Sequence, residues 1–459
     1  MPGITERLAA WSSALALRDV PPAAIAAAPR LLLDWLANAI GGTRAPSSAA
    51  MARFAEADAP RGDATAVGLA ARLHPAYAAL VNGQAAHVLE SDDTHQESSS
   101  HPGSSVWSAV LAVGETTGAS LGEAMTAAIV GYDVVGRLGA ALGPAEHYAR
   151  GFHPTGTCGA LGCAAAVARL LELDADRTVS ALGIALSQAA GAMEFLADGT
   201  WTKRFHPGWA AHSGITAAGL ARAGFTGPAS AIEGKAGFLS SHSASPRPER
   251  VLQGLGRDFE IARTSIKAHA CCRYEQAPID GLLAIVREHR LGADDVERVT
   301  IAVLGAGWDI IAEPRARKLA PESVVDAQFS MPYGAAVALV RGKASVREFT
   351  PEVLRDPAVR AAMKKVECVR DPALDARFPR QWPAWVEVRT RAGAVLRAAV
   401  EHPKGDPENP LAWDEQVAKL RDLVGDALPS DRLDEIARRL AEPDLGTPVR
   451  DLMALVRPT

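Results

Sequence analysis

Five cysteines in 459 residues, none spaced as C-x-x-C, give this chain neither a zinc ribbon nor a disulfide framework, as expected of a protein kept in a reducing compartment. Aromatic residues make up only 5%, so aliphatic and small side chains must supply the core. Charge of one sign is also lacking. The formal net charge of −5 provides no general attraction to nucleic acid or to an anionic membrane. The N-terminal MPGITERLAAWSSALALRDV carries Glu6, Arg7 and Arg18 and no uninterrupted apolar run of the signal-peptide kind. No uncharged apolar stretch reaches the roughly 20 residues of a membrane span. The nearest, Ala109 to Val130, is broken by Glu115, Glu123 and three glycines. A Walker sequence, a G-x-S-x-G elbow, a strand-linked G-x-G-x-x-G and H-E-x-x-H are all missing; GASLG (118–122) follows a helix-like run and not a strand. Cytoplasmic location is expected, with no nucleic-acid or membrane partner.

What is present is a set of polar islands in an apolar background. In NGQAAHVLESDDTHQESSSHPGSSVW (82–107), Glu90, Asp92, Asp93, Thr94, His95 and His101 fall within twelve positions, and apolar sequence resumes at Val106. Such groups cannot be buried unsatisfied without a cost of about several kcal/mol, so they must meet water, a metal or a ligand. Three later segments repeat the pattern: GFHPTGTCG (151–159), TWTKRFHPGWAAHSG (200–214) and IKAHACCRYEQAPID (266–280). Together they read as four walls of one cleft. Lysine is scarce beside arginine, 9 against 39, which makes Lys203 and Lys267 inside the islands more noticeable.

The length predicts two or three domains. PPAAIAAAPRLLLDWLANAIGG has proline near its start, helical apolar spacing and a Gly-Gly stop. From 66 to 263 the pattern stays Ala/Leu/Val-rich with few β-branched runs, and EAMTAAIVGYDVVGRLGAAL and GALGCAAAVARLLELD are apolar nearly all round, as in buried bundle helices. Near 264 the character changes. VERVTIAVLGAG (296–307) alternates with period two and predicts a strand; WVEVRTRAGAVLRAAVEHPKG (385–405) predicts a hairpin. DAQFSMPYGAAVALVRG and TPEVLRDPAVRAAMKKV read as helices between them, and AWDEQVAKLRDLVGDAL and SDRLDEIARRLAEP as two amphipathic helices after Pro410. The expected architecture is mostly α: a helical domain made discontinuous if the last two helices rejoin it (1–263 and 406–459), and a smaller α+β unit (264–405).

Each island allows more than one chemistry. The 90–101 segment has carboxylates and imidazoles but no metal-ligand spacing, which favours a metal-free polar pocket, and Ser98 to Ser100 read as a flexible loop. His153 precedes a Gly/Thr-rich turn that opens a helix near Thr157, a start suited to binding a carboxylate or phosphate. Lys203, Arg204 and His206 form either a solvated patch or a cationic wall for an acidic substrate. Cys271 and Cys272 read as inert packing ahead of a reactive thiol pair.

In order along the chain, LLLDWLANAIGGT, LVNGQAAHVLESDDTH with HPGSSVWSAVLAVGE, GYDVVGRLG with GFHPTGTCGALGCAAA, LSQAAGAMEFLADGTWTKRFHPGWAAHSGITAA, SIKAHACCRYEQAPIDGL, DAQFSMPYGAAVAL and GDPENPLAWDEQVAKL resemble the MmgE/PrpD family. That family includes 2-methylcitrate dehydratase, cis-aconitate decarboxylase and iminodisuccinate epimerase. The resemblance implies a helical domain built from both chain ends, the α+β unit (264–405) as a lid, a cleft between them, a homodimer and no cofactor. It implies that Asp93, Thr94, His101, His153, Lys203, Lys267 and Tyr333 line the cleft, with the lysines and Arg273 holding substrate carboxylates. Two departures stand out. Glu90 opens the family's D-x-D-D-T pattern, one methylene longer than aspartate. Gln276 stands where relatives have a histidine after Arg-Tyr, with His269 upstream.

The expected activity is that of a cofactor-independent lyase removing a proton α to a carboxylate of a di- or tricarboxylic acid, dehydration or hydration first. His101 or His153 would act as base, and Asp93, Lys203, Lys267 and Tyr333 complete the expected catalytic set. Thr94, Arg273, His269, Glu90 and His206 would bind substrate. Epimerisation or decarboxylation in the same pocket is the alternative within the class. A metal-dependent hydrolase on Asp92, Asp93, His95 and His101 is the alternative outside it, and a non-catalytic helical scaffold is a third.

Overall fold

Small residues let the helices of the larger unit close in on one another. In the computed structural model, which describes residues 2–458, helices Leu121–Leu142, Pro154–Leu170 and Thr202–Arg222 pack side by side, and Pro75–His87 and Pro102–Thr117 lie against them. The approach of Pro75–His87 to Thr202–Arg222 is the one that matters for function. A Cβ on Gly208 would lie 2.3 Å from Leu80 O, and one on Gly83 would lie 2.7 Å from Gly208 Cα. Glycine at these two places therefore brings the polar loop after His87 against Lys203 and Arg204.

Three helix starts share a sequence device. Pro75, Pro102 and Pro154 each occupy the first helical turn, where a missing N–H costs nothing, and each is preceded by a histidine at the cap. The helix expected near Thr157 thus begins three residues earlier, with His153 as its cap. Pro22–Gly42 and Leu121–Leu142 are long and apolar enough to cross a membrane, but both are mostly buried in protein, the second over its whole apolar window.

The smaller core is drawn from residues between Ala270 and Val388. Its sheet has the order 366–370, 296–303, 384–390, 395–400. The expected strand is Val296–Val303 and the expected hairpin is Ala384–Thr390 with Val395–Val400. Val366–Arg370 is an edge strand parallel to Val296–Val303. It follows two short helices, Pro351–Leu354 and Pro357–Met363, where the sequence reads as one helix running to Val366. Helices Gln276–His289 and Met331–Arg341 pack together, the first also covering the sheet.

The larger core draws on residues between Leu8 and Ile266 and again on Leu411 to Val456. The C-terminal helices Trp413–Val424 and Ser430–Ala441 pack on Pro22–Gly42. Short strands interrupt the helical half. Thr94–His95 pairs antiparallel with Thr264–Ser265, Thr94 opposite Ser265. This small ladder carries the acidic loop to the crossing between the two units, two residues before Lys267.

Candidate active site

The loop between helices Pro75–His87 and Pro102–Thr117 is pinned, not flexible. Ser98, Ser99 and Ser100 are all buried. Ser98 Oγ lies 2.9 Å from His95 Nδ1 and His95 N donates to Ser100 O at 2.8 Å. Glu90 and Ser99 adopt left-handed φ values of 56° and 54°, which turn the loop inward.

Glu90 is the hub of the charges. Both its oxygens accept from Lys203 Nζ at 2.6 Å, one accepts from Arg204 NH1 at 2.6 Å, and Lys267 Nζ lies 3.2 Å from the other. Burial pushes its carboxyl up, but Lys203, Lys267 and Arg204 together overcome this and hold it well below the carboxylate range. Burial draws Lys203 down to about 8, against the pull of Glu90. Lys267 also feels burial most, yet Glu90 and Asp92 (3.7 Å away) raise it above its ordinary value. Three cations thus face two carboxylates, and the cluster keeps a net positive charge that favours an anionic ligand.

His101 and His153 form the opposite wall, with His87 and His206 packed beside them and outside the cavity lining. Ring centroids are 4.9 Å apart for His87 and His101, 5.8 Å for His87 and His153, and 5.3 Å for His153 and His206. His101 Nδ1 lies 2.7 Å from Asp93 O, a carbonyl that can only accept, so Nδ1 carries the proton and Nε2 is the basic nitrogen. Burial holds His101 and His153 well below the usual imidazole range and His206 at about 3, so these rings are neutral at pH 7. His101 and His153 each cap a helix, whose positive end favours the neutral ring and attracts anions.

The cavity between these walls is tight, with a free volume of about 40 Å³. Glu90, Thr94, His101, His153 and Lys203 line it from the helical unit, and Cys272, Arg273, Tyr274, Phe329 and Trp382 from the lid. Arg273 lies 5.3 Å from the centroid of the Trp382 ring, and its Nε is buried without a partner, as is Tyr274 Oη. Cys272 is a neutral thiol, pushed up to about 12 by burial. A larger groove behind helix Thr202–Arg222 is lined mostly by apolar groups and lacks this convergence of acids and bases.

A family model described as the MmgE/PrpD N-terminal domain matches residues 6–251, and one described as the MmgE/PrpD C-terminal domain matches residues 269–442. The chain belongs to the MmgE/PrpD family. Among its MmgE/PrpD relatives, the cis-aconitate decarboxylase-like protein oryM of Aspergillus oryzae is 28% identical, covering 99% of this chain and 97% of that protein. The cis-aconitate decarboxylase of Aspergillus terreus is 28% identical over 99% of this chain and 96% of its own. The human cis-aconitate decarboxylase is 27% identical over 95% and 90%.

Of the residues expected at this MmgE/PrpD cleft, five do not line the cavity. Lys267 and His206 stand directly behind it, on Glu90 and on His153 (Nδ1 to Nδ1, 3.1 Å). Asp93 turns away, accepting from Tyr132 Oη at 2.6 Å and from Gly103 N at 3.0 Å; it supports the loop. His269 faces Asp280 at 2.9 Å, while Gln276 pins the backbone of His269 from both sides. Tyr333 is fully buried in the smaller core and donates to Glu348 O at 2.7 Å. An apolar helix interior took its ring, and its hydroxyl found a backbone carbonyl there. The hydrolase set does not assemble either: His95 pairs with Glu260 at 3.0 Å.

His87, Tyr148, Tyr274 and Trp382 had no signal beyond their residue type. His87 Nδ1 lies 2.6 Å from Asp92 Oδ2, which also accepts from Ser104 Oγ at 2.6 Å. His87, Asp92 and His101 are close enough to hold a metal ion. The donor set fits one poorly. His101 Nδ1 is a donor to Asp93 O, His87 Nδ1 is engaged by Asp92, and the Lys267 ammonium stands 3.7 Å from the same carboxylate.

Proposed function

We propose that this protein is a cofactor-independent lyase acting on a di- or tricarboxylic acid by proton transfer at the carbon beside a carboxylate. One observation carries the reading: neutral imidazoles at two helix starts face a cluster with one excess positive charge across a single small cavity. Lys203 and Arg273 hold substrate carboxylates and stabilise charge that develops on one of them. His101 Nε2 or His153 takes the proton, and each can do so because it is unprotonated at pH 7. Tyr148 and Tyr274, kept protonated chiefly by burial, are the available acids.

Loss of water would use an imidazole as base and a tyrosine as acid to the leaving hydroxide, whereas loss of carbon dioxide leaves an electron pair on carbon that must take up a proton, from Tyr148 or Tyr274. The names of the relatives favour the second, with cis-aconitate as the first acid to test. Purified protein is incubated with cis-aconitate, citrate, malate and related acids, following carbon dioxide release by a coupled assay and formation or loss of the conjugated double bond by absorbance. Turnover of one of them is expected; no turnover across the panel would overturn the lyase reading.

We also propose a homodimer. Phe205 and Trp209 on the outer face of the Lys203 helix line the apolar groove together with Phe54 and Trp201, which are 45% and 51% exposed. An apolar aromatic face of this kind is suited to burial against a second copy.

A further inference from the structure

The GDPEN turn, residues 405–409, has no role in the reading above, yet it is built to keep one shape. Gly405 N donates to Asn409 O at 2.9 Å, Asn409 N to Asp406 O at 2.9 Å and Asp406 N to Pro403 O at 3.1 Å. Gly405 has φ +95° and its carbonyl accepts from Ile266 N at 2.9 Å; a Cβ would lie 1.7 Å from Ile266 O, so no other residue fits. The turn is therefore fixed to the crossing that leads into Lys267.

The side chain it presents is Asp406, 1% exposed. Its Oδ1 accepts from Ser265 Oγ at 2.7 Å and from Arg273 NH2 at 2.5 Å, while Oδ2 has no partner. Ser265 Oγ is also 3.3 Å from Gln96 Nε2, so the chain of contacts runs back to the acidic loop. Arg273 is caught between this carboxylate and the Trp382 ring. A free arginine has many rotamers, but its planar guanidinium loses little further freedom once one edge and one face are engaged. Arg273 held in this way also lines the cavity.

Resting on the lyase reading, we infer that Asp406 is a positioning residue that fixes the guanidinium of Arg273 so that its free edge meets a carboxylate of the substrate. Asp406 does not touch the substrate itself. Its effect is on binding: the lost contact is one charge-assisted pair, about 10-fold to 100-fold in affinity.

The test uses cis-aconitate as probe, with Kd by calorimetry and KM and kcat by the assays above, in wild type, Asp406→Asn, Asp406→Ala, Arg273→Ala and the double Arg273→Ala, Asp406→Ala variant. Asp406→Ala is expected to raise Kd and KM about 10-fold or more with kcat within about 3-fold, Asp406→Asn less because its amide oxygen still accepts from Arg273, and the double variant should be no worse than Arg273→Ala. Independent losses that multiply in the double variant, or an effect on melting temperature and kcat with KM unchanged, would overturn the inference. Should Asp406→Ala fail to fold, Asp406→Asn carries the test alone: unchanged Kd there refutes it. If Arg273→Ala binds cis-aconitate as wild type does, the site reading falls and this inference with it. If Arg273→Ala binds weakly while the Asp406 variants bind normally, only this inference falls.

Discussion

Glu90→Gln removes one negative charge from the centre of the site and changes almost nothing else in shape. The carboxylate is 1% exposed and meets Lys203 and Arg204 at 2.6 Å and Lys267 at 3.2 Å. An amide keeps one acceptor but turns an N–H₂ towards ammonium groups that cannot accept. Asp92 is then the single carboxylate against three cations, and the excess positive charge of the cluster rises from one to two. Breaking a buried ion pair from one side costs about 3–5 kcal/mol. At about 1 °C per kcal/mol for a chain of 459 residues, the melting temperature should fall by roughly 3–5 °C. A second effect separates this from simple destabilisation. Burial holds Lys203 at about 8 and Glu90 is the largest influence opposing it, so the variant's ammonium deprotonates at lower pH. Activity that needs the ammonium is present below the Lys203 pKa and lost as pH rises through it. The alkaline limb of kcat/KM, near pH 8 in wild type, should move down in Glu90→Gln. Calorimetric melting and kcat/KM from pH 6 to 10 at fixed ionic strength check both. An unmoved limb with an unchanged melting temperature would refute the hub.

Exhaustive chelation should leave activity intact, because Lys267 and the turned His101 make the His87–Asp92–His101 cluster a poor metal site; loss on chelation and recovery with one added metal would reverse this. Lys203→Ala should lower kcat/KM roughly 10²–10³-fold or more, read by initial rates. His153→Ala should lower kcat roughly 10²–10⁴-fold and His153→Gln should not rescue it, since an amide cannot take the proton; near-wild-type turnover in His153→Ala would pass the role to His101. Light scattering at micromolar protein should give a dimer that Trp201→Asp and Phe205→Asp together dissociate; a stable 48.0 kDa wild-type monomer would count against it.

The fold was legible where pattern and packing agree. Alternation over 296–303 and 385–400 predicted a strand and a hairpin; Ala384–Thr390 buries alternate residues, and Val395–Val400 alternates exposed with half-buried ones. Val366–Arg370 escaped notice because it is a five-residue edge strand, mostly unburied, and its parallel partner lies some 65 residues earlier, a pairing that no local pattern encodes. The Thr94–His95 ladder was illegible for the same reason: two residues give no period, and its partner lies across the chain at Thr264–Ser265.

At the site, the sequence disclosed which residues were too polar for their surroundings but not which way they turn. Asp93 and His95 sit in the same loop as Glu90 and Asp92, with the same chemistry, yet they face Tyr132 and Glu260 instead of the cavity. Direction in this loop comes from left-handed backbone at Glu90 and Ser99, which neither residue type advertises. Conversely His87 ends an apolar helix, Pro75–His87. It meets Asp92, five residues on, where the loop turns back over the helix end, and Gly83 and Gly208 bring that helix close to Thr202–Arg222. The same close approach places Lys203 against Glu90. Filling Gly208 with a side chain would therefore damage binding and proton transfer together, although the residue touches neither.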